Sequence, residues 1–423
     1  AVFHLVECGA GGLRLFVPPI NIDPLQPPPQ MPISAPPGFA AELQAEIGHP
    51  YETLGWACIT NPLKDYEDSR LDEQSFMDDM VSTEALREEL LLAGLDRAQD
   101  WDVYFQVFST PDRVGHMLFR ETDPAHPLYD EALANSQVTA WGQSFPLKDA
   151  LLQCYRNADR IVGEVLDRLA RGDFGADCLL LVVSDHGFSS FRRQVNLNNA
   201  LYDLGFLKFK GGEDLEAVMR RSWRERDLLG RVDWKTTKAY SLGLGEVFVN
   251  LAGREPQGIV PPEQYDATVA ELQTALLGLR DPKDGARVVT SVSRRDELYD
   301  GPWWKEGTAA RKVRGVPVEV RHDGFADLFL GYEPGYRVSW GNTMGGLDDA
   351  AITDNDNHWS GDHVSVDPRH VPGILFSNRP LERPAEAHLD DVAPTMLVRY
   401  GLDPAPPHTE MDGSPLPFQN LTR

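Results

Sequence analysis

Five side chains between residues 112 and 363 are of the kinds that hold divalent cations: Asp112 and His116, the adjacent pair Asp185 and His186, and His363. Carboxylate oxygens and imidazole nitrogens suit zinc in particular, and an ion held by few protein donors keeps a position open for water or a substrate oxygen. Arranged around two ions, such a set would support metal-assisted hydrolysis. Asp112 and His116 stand four residues apart, so a helix there would turn both to one face, as a chelating pair requires. Taken alone, a helix-capping aspartate and a surface histidine explain the same spacing. Ser184-Asp185-His186-Gly187 follows the apolar run Cys178 to Val183 directly. A carboxylate and an imidazole placed there would be desolvated, at a cost, unless paired or bound to a metal. Gly187 would allow a tight turn, although an ordinary polar turn after a strand also fits. His363 closes Trp359-Ser-Gly-Asp362-His363, a loop shortly before the apolar stretch at Gly373.

The elements that must carry these residues show in the hydrophobic pattern. Leu13 to Val17 reads as a strand, ended by the Pro-rich stretch from Pro18 to Pro37, which reads as a loop. Ser82 or Thr83 is expected to cap a helix through Leu86, Leu90 and Leu91 toward Gly94, and Val103 to Phe108 reads as a strand. Leu151, Tyr155, Ala158, Val162, Val165 and Leu169 alternate in steps of four and three, which predicts an amphipathic helix. That helix leads into Leu179 to Val183, a run expected to be a strand covered on both faces. Strand, helix, strand in this order predicts a parallel sheet. A second β-α-β segment follows: strands within Ala239 to Asn250, a helix through Tyr265, Val269, Leu272, Leu276 and Leu279, and a strand from Val288 to Val292. Gly324 to Gly331 and Gly373 to Ser377 then read as short core strands.

Acidic side chains outnumber basic ones by 65 to 40, so attraction to nucleic acid or an anionic membrane is not expected. An anionic substrate would need local positive charge, which bound metal ions supply. No run approaches the ~20 apolar residues of a membrane span. The composition suits periplasmic, secreted and cytoplasmic settings alike. Cys8, Cys58, Cys154 and Cys178 form no metal-binding spacing and read as structural thiols. Asp354-Asn-Asp356-Asn-His358 lacks the turn glycine and distal glutamate of a calcium loop and reads as an acidic loop. His126 and His408 beside prolines read as surface histidines, and Arg220-Arg221-Ser-Trp-Arg224 as a solvated helix face.

Five stretches taken in order carry a more specific pattern. They are Trp101-Asp-Val-Tyr-Phe-Gln-Val-Phe-Ser-Thr-Pro-Asp112-Arg-Val-Gly-His116, then Val183-Ser-Asp185-His186-Gly187-Phe188, then Gly253-Arg-Glu-Pro-Gln-Gly258-Ile-Val. Trp359-Ser-Gly-Asp-His363 and Asp390-Asp-Val-Ala-Pro-Thr395 complete the set. Together they resemble the alkaline phosphatase superfamily, in its type I phosphodiesterase/nucleotide pyrophosphatase branch, along nearly the whole chain. The resemblance implies a three-layer α/β/α core with a mainly parallel sheet and a small β-α-β insertion. Residues 1–235 would form the first part of the core, 236–320 the insertion and 321–423 the remainder.

It also implies two ions, usually zinc with manganese as the alternative, and a small anionic phosphate-ester substrate. Asp112, His116 and His363 would hold one ion, and Asp185 with His186 the other. In the family a Thr or Ser attacks phosphorus, and that residue, with a further metal-binding Asp, lies upstream of the segment resembled by Val2-Phe3-His4-Leu5. The sequence is therefore expected to be N-terminally incomplete, with no nucleophile of its own and an incomplete second metal site. Ser109, Ser184 and Ser360 are candidate substitutes, but none is expected at a helix start. The expectation is a phosphodiesterase or nucleotide pyrophosphatase whose isolated chain binds at most one metal well and turns over poorly. A phosphomonoesterase, phosphonate hydrolase or mutase relative is the alternative within enzymes, and an inactive metal-binding protein the alternative outside them.

Overall fold

The computed structural model describes residues 4–9, 12–16, 22–26, 32–48, 71–97, 101–175, 177–219, 228–299, 308–313, 316–321, 324–382, 386–404, 411–419 and 421. Cys58, His408, the Arg220 to Arg224 cluster and part of the Pro-rich stretch lie outside the described residues. The chain forms two compact units, Ala1–Cys178 with Asp356–Gly361, and Leu179–Asn355 with Asp362–Arg423.

The first unit is mainly helical. An antiparallel hairpin of β1 (His4–Gly9) and β2 (Gly12–Phe16) precedes helices α1 (Phe39–Ile47), α2 (Glu73–Asp96) and α3 (Thr110–Leu118). The short helix α4 (Glu131–Ala134), the hairpin β3 (Gln137–Ala140) and β4 (Gln143–Pro146), and helix α5 (Ala150–Arg171) follow. Phe76, Met77 and Met80 of α2, Val114, Met117 and Leu118 of α3, and Ala150 and Cys154 of α5 make one buried cluster. Each large side chain fully buried there contributes roughly 1.5–3 kcal/mol. The α2 helix starts about ten residues before the expected cap, because Asp72 accepts from the Ser75 N–H at 2.7 Å. Ser82, inside the helix, turns its hydroxyl back to the Asp79 carbonyl. The predicted α5 helix is present, but its most buried line is Ala150, Cys154, Asn157 and Ile161, and Tyr155 is exposed.

The β3–β4 turn consists of Trp141 at φ 48° and Gly142 at φ 71°. Glycine adopts this conformation freely, whereas a side chain with a Cβ costs about 1–2 kcal/mol there. Residues 101–108 form no strand, contrary to expectation. Trp101, Tyr104 and Phe108 pack against Leu91, Leu95 and Ile161, while Val103, Phe105 and Val107 are exposed. Period-2 alternation gives this segment an inner and an outer face without providing a strand to pair with.

The second unit opens with β5 (Leu181–Val183) and β6 (Ser189–Val195), followed by helix α6 (Leu197–Asp203). Strands β7 (Ala239–Leu242), β8 (Glu246–Val249) and β9 (Val289–Arg294), the hairpin β10 (Thr308–Val313) and β11 (Val316–Arg321), then β12 (Leu328–Tyr332), β13 (Gly335–Val338) and β14 (Ile352–Asp354) follow in order. The two-residue strand β15 (Gly361–Asp362) lies where the chain passes between units, and β16 is Leu375–Ser377. One sheet has the order β7-β8-β12-β9, so β12 completes the sheet of the predicted β-α-β segment. The predicted helix of that segment is present as Tyr265–Leu277, with Val269, Leu272 and Leu276 buried against the sheet residues Val247, Val289 and Leu328.

The molecule is a mixed α/β structure, consistent with the alkaline-phosphatase-like fold. The mainly parallel sheet is not seen among the described strand ladders. The β13–β6 ladder is parallel, whereas β6–β14, β5–β16 and the pairs of the four-stranded sheet are antiparallel. The apolar run expected to form a fully covered strand narrows to β5, which is half-buried throughout and pairs with β16. Such a run calls for apolar surroundings but does not specify which strand lies alongside. Among the described residues no helix is long and apolar enough to cross a membrane.

Candidate metal centre

In the first unit α3 presents Asp112 in its first turn and His116 in its last, after Pro111 near the helix start, where a missing N–H costs nothing. The i,i+4 spacing brings Asp112 Oδ1 to 3.2 Å from His116 Nε2. His116 is buried, and its Nδ1 lies 2.7 Å from the Gly361 carbonyl oxygen. A carbonyl can only accept, so Nδ1 carries the proton and a neutral ring turns its lone pair toward the carboxylate. Two acceptors facing each other suit a shared cation. A histidine whose far nitrogen grips a backbone carbonyl is the usual support of a metal ligand.

The 356–361 segment is fastened to α3 within this unit. The Trp359 indole stacks on His116 with ring centroids 3.8 Å apart. Ser360 is fully buried: its N–H donates to the His116 carbonyl at 2.7 Å, and its hydroxyl engages the His116 and Met117 carbonyls. The Arg120 backbone N–H donates to that same hydroxyl. The Arg120 guanidinium is buried, hydrogen-bonds Glu121 at 2.6 Å and contacts the His358 ring. Burial pushes the Glu121 carboxyl up, and the Arg120 contact opposes that shift. Asp356 to Gly361 is thus an anchored segment, which the acidic-loop reading did not anticipate.

In the second unit His363 stacks on His186 with centroids 3.4 Å apart and planes 10° from parallel. His186 repeats the arrangement of His116: its Nδ1 lies 2.9 Å from the Gly187 carbonyl and its Nε2 3.5 Å from Asp185 Oδ1. Asp185 itself is 74% exposed, so the expected desolvation of this pair is corrected for the carboxylate. It follows a three-residue, half-buried strand rather than a buried one. Gly187 is required by space, not by a left-handed turn. A Cβ there would meet the Pro372 carbonyl oxygen at 2.6 Å, and the Gly187 N–H donates to Val371 at 2.8 Å.

Beside His363, the Asp362 carboxylate is buried and committed to structure. Its Oδ1 accepts from the His363 and Val364 N–H groups at 2.8 and 2.9 Å, and its Oδ2 lies 2.6 Å from Arg337 Nε. The Arg337 guanidinium sits 3.9 Å from the Trp340 ring centroid. Burial lowers the Arg337 pKa, and Asp362 opposes that shift. Sequence reasoning missed Asp362 and Arg337 as the pair that holds the backbone of His363. An aspartate directly before a candidate ligand was the available signal.

Residues 28–363 match the model of the type I phosphodiesterase / nucleotide pyrophosphatase family. The chain belongs to this family. Type I phosphodiesterases are a branch of the alkaline phosphatase superfamily and hydrolyse phosphodiester or pyrophosphate bonds, so the chain is of a hydrolase type acting on phosphate esters. No curated protein and no solved structure matches it.

The three serines considered as substitute nucleophiles for this phosphodiesterase-type chain differ in surroundings. The Ser360 hydroxyl is buried among main-chain carbonyls, and the Ser184 hydroxyl accepts from the Ile374 N–H at 2.9 Å. Ser109, contrary to expectation, stands at a helix start as the residue before α3, and its side chain makes no capping bond. Pro111 and the Asp112 turn set that helix start. His126, expected at the surface, is buried and accepts from the Leu128 N–H at 3.1 Å.

Proposed function

We propose that this chain hydrolyses phosphodiester or nucleotide pyrophosphate bonds with divalent ions held by Asp112, His116 and His363 at one position and by Asp185 and His186 at the other. The observation that carries the reading is the His116 imidazole, fixed by the Gly361 carbonyl at 2.7 Å with its other nitrogen 3.2 Å from Asp112. The case for adding His363 is covalent. Gly361 precedes it by two residues, which spans at most about 7 Å of chain. Carboxylate and imidazole donors fit zinc best and manganese second. Bound there, such ions polarise phosphoryl oxygens and neutralise the charge that develops at phosphorus. The residues themselves orient and hold: Gly361 sets the His116 tautomer, Trp359 covers its ring, and Asp362 pins the backbone at His363.

Three donors against two predicts one tightly held ion and one weakly held ion, and the exposed Asp185 agrees with the weaker position. This reading assigns the nucleophile to no residue of the chain. Residues 236–320 are proposed as the segment that shapes substrate choice. The test is metal analysis of the purified protein together with release of p-nitrophenol from a bis-ester and from a mono-ester. One retained equivalent and preference for the bis-ester are expected. Faster mono-ester release would point to a phosphomonoesterase instead. Metal binding with no release from either would point to an inactive binding protein, and no retained metal would overturn the site.

A further inference from the structure

The first unit holds a concave site, lined by no residue of α3, that the hydrolytic reading leaves unused. A cavity of about 370 Å³ lies between the β3–β4 hairpin and α5. This is within the size range of small-molecule sites. None of Asp112, His116 and Trp359 lines it. One wall is aromatic, from Trp141 and Phe145, and the opposite one is polar, from Gln153, Arg156 and Asn157 of α5. The Trp141 backbone is held at φ 48°, and its indole N–H donates to the buried Glu84 carboxylate at 2.7 Å, so a strained turn and a fixed hydrogen bond set the plane of that ring. Asn157 donates to the same Glu84 oxygen at 2.6 Å. The other carboxylate oxygen, Glu84 Oε1, is buried without a partner among the described residues. Arg160, at the rim, is neutralised by two bonds to Glu88 at 2.8 and 2.6 Å. Arg156, one turn earlier, makes no ion pair or hydrogen bond with any described residue, and neither does the Gln153 side chain.

A rigid aromatic wall, the Gln153 amide and one uncommitted guanidinium select a ligand with a planar face, a hydrogen-bonding edge and an anionic group. The aromatic ring gives stacking, the Gln153 amide reads the edge, and the guanidinium takes the charge, while the Asn157 amide is held by Glu84 and by Arg160 Nε at 2.9 Å and completes the wall. We propose that this cavity is a binding site for a nucleoside monophosphate, with the base against Trp141 and Phe145 and the phosphate on Arg156. The choice of a nucleotide over another planar anion rests on the proposed reaction, which releases such a product.

Binding of AMP by the full chain is to be measured calorimetrically in EDTA, so that no ion at Asp112 and His116 holds the phosphate. Adenosine, ribose 5-phosphate and benzoate are the comparison ligands. The expected result is submillimolar AMP binding, weakened about ten- to a hundredfold by Arg156→Ala, the worth of a charge-assisted hydrogen bond, and by a similar factor by Trp141→Gly. Arg156 is exposed, so its variant tests the site without disturbing the fold. No AMP binding at 1 mM (about a thousandfold above the micromolar range), equal affinity for adenosine and AMP, or affinity untouched by Arg156→Ala would each overturn the proposal. Benzoate binding as tightly as AMP would overturn the nucleotide assignment. Because the metal site is emptied, none of these results bears on the hydrolase reading.

Discussion

Replacing Asp362 by Ala removes the counter-charge of a guanidinium that has no route to solvent. Arg337 and Asp362 are each 1% exposed, with Nε and Oδ2 2.6 Å apart. Removing one partner of such a pair costs about 3–5 kcal/mol, because the remaining charge stays buried and uncompensated. The same carboxylate accepts the His363 and Val364 N–H groups, so the alanine variant also frees the backbone beside a proposed ligand. Replacing both partners, Arg337→Met with Asp362→Asn, leaves no charge to bury and keeps an acceptor for the two N–H groups. That double variant is expected to recover most of the loss. Urea unfolding of the wild type, Arg337→Met, Asp362→Asn and the double variant forms a double-mutant cycle, and a coupling of at least about 2 kcal/mol is expected from the burial. Simple additivity, or an Asp362→Ala loss below about 1 kcal/mol, would refute the claim that this pair fixes the segment carrying His363.

Gly187→Ala places a Cβ 2.6 Å from the Pro372 carbonyl oxygen, a main-chain atom that cannot turn aside. Overpacking of this kind costs about 1–3 kcal/mol, so a thermal melt should fall by several degrees, and an unchanged melt would mean the 371–373 segment gives way freely. Glu84 is pushed up, first by burial, against the opposing bonds from Trp141 and Asn157. A carboxyl raised in the folded state contributes stability that is complete below its unfolded pKa and is lost as pH rises through the folded value. Glu84→Gln should therefore gain stability relative to wild type between pH 4 and pH 8, and a pH-independent difference in denaturant midpoints would contradict that.

Helix α5 and the helix Tyr265–Leu277 were legible because apolar residues at steps of three and four report helical periodicity, although in α5 the most buried line is Ala150, Cys154, Asn157 and Ile161 rather than the predicted stripe. Strand pairing was not, since alternation and apolar runs describe faces, not neighbours. Gly324 to Gly331 reads as a short core strand, and Leu328–Tyr332 is buried as expected, but its apolar run does not name its neighbours, which are β8 and β9. At the candidate site, the spacing of Asp112 and His116 foretold that one helix face would carry both, whereas the stacking of His363 on His186 joins residues distant in sequence and had no signal there. The carbonyls of Gly361 and Gly187 that fix two imidazoles have no sequence signature, because every residue carries one. The Arg337–Asp362 pair joins residues distant in sequence through burial that only the folded chain shows.

Those carbonyls make one substitution decisive. With Nδ1–H of His116 given to Gly361, a neutral ring directs a lone pair at Asp112, 3.2 Å away. Asp112→Asn would supply an N–H to that lone pair, so the metal-free protein should be as stable as wild type or gain about 0.5–1.5 kcal/mol, the worth of a new hydrogen bond. Zinc affinity should fall at least about tenfold, because a carboxylate donor has been lost. A structural ion pair between a charged His116 and Asp112 predicts the opposite for stability: the amide would weaken it, and denaturant midpoints in EDTA would drop. Stability preserved with metal affinity lost is the signature of a ligand pair held ready for a cation. Both falling together would mean that α3 carries a salt bridge and no metal.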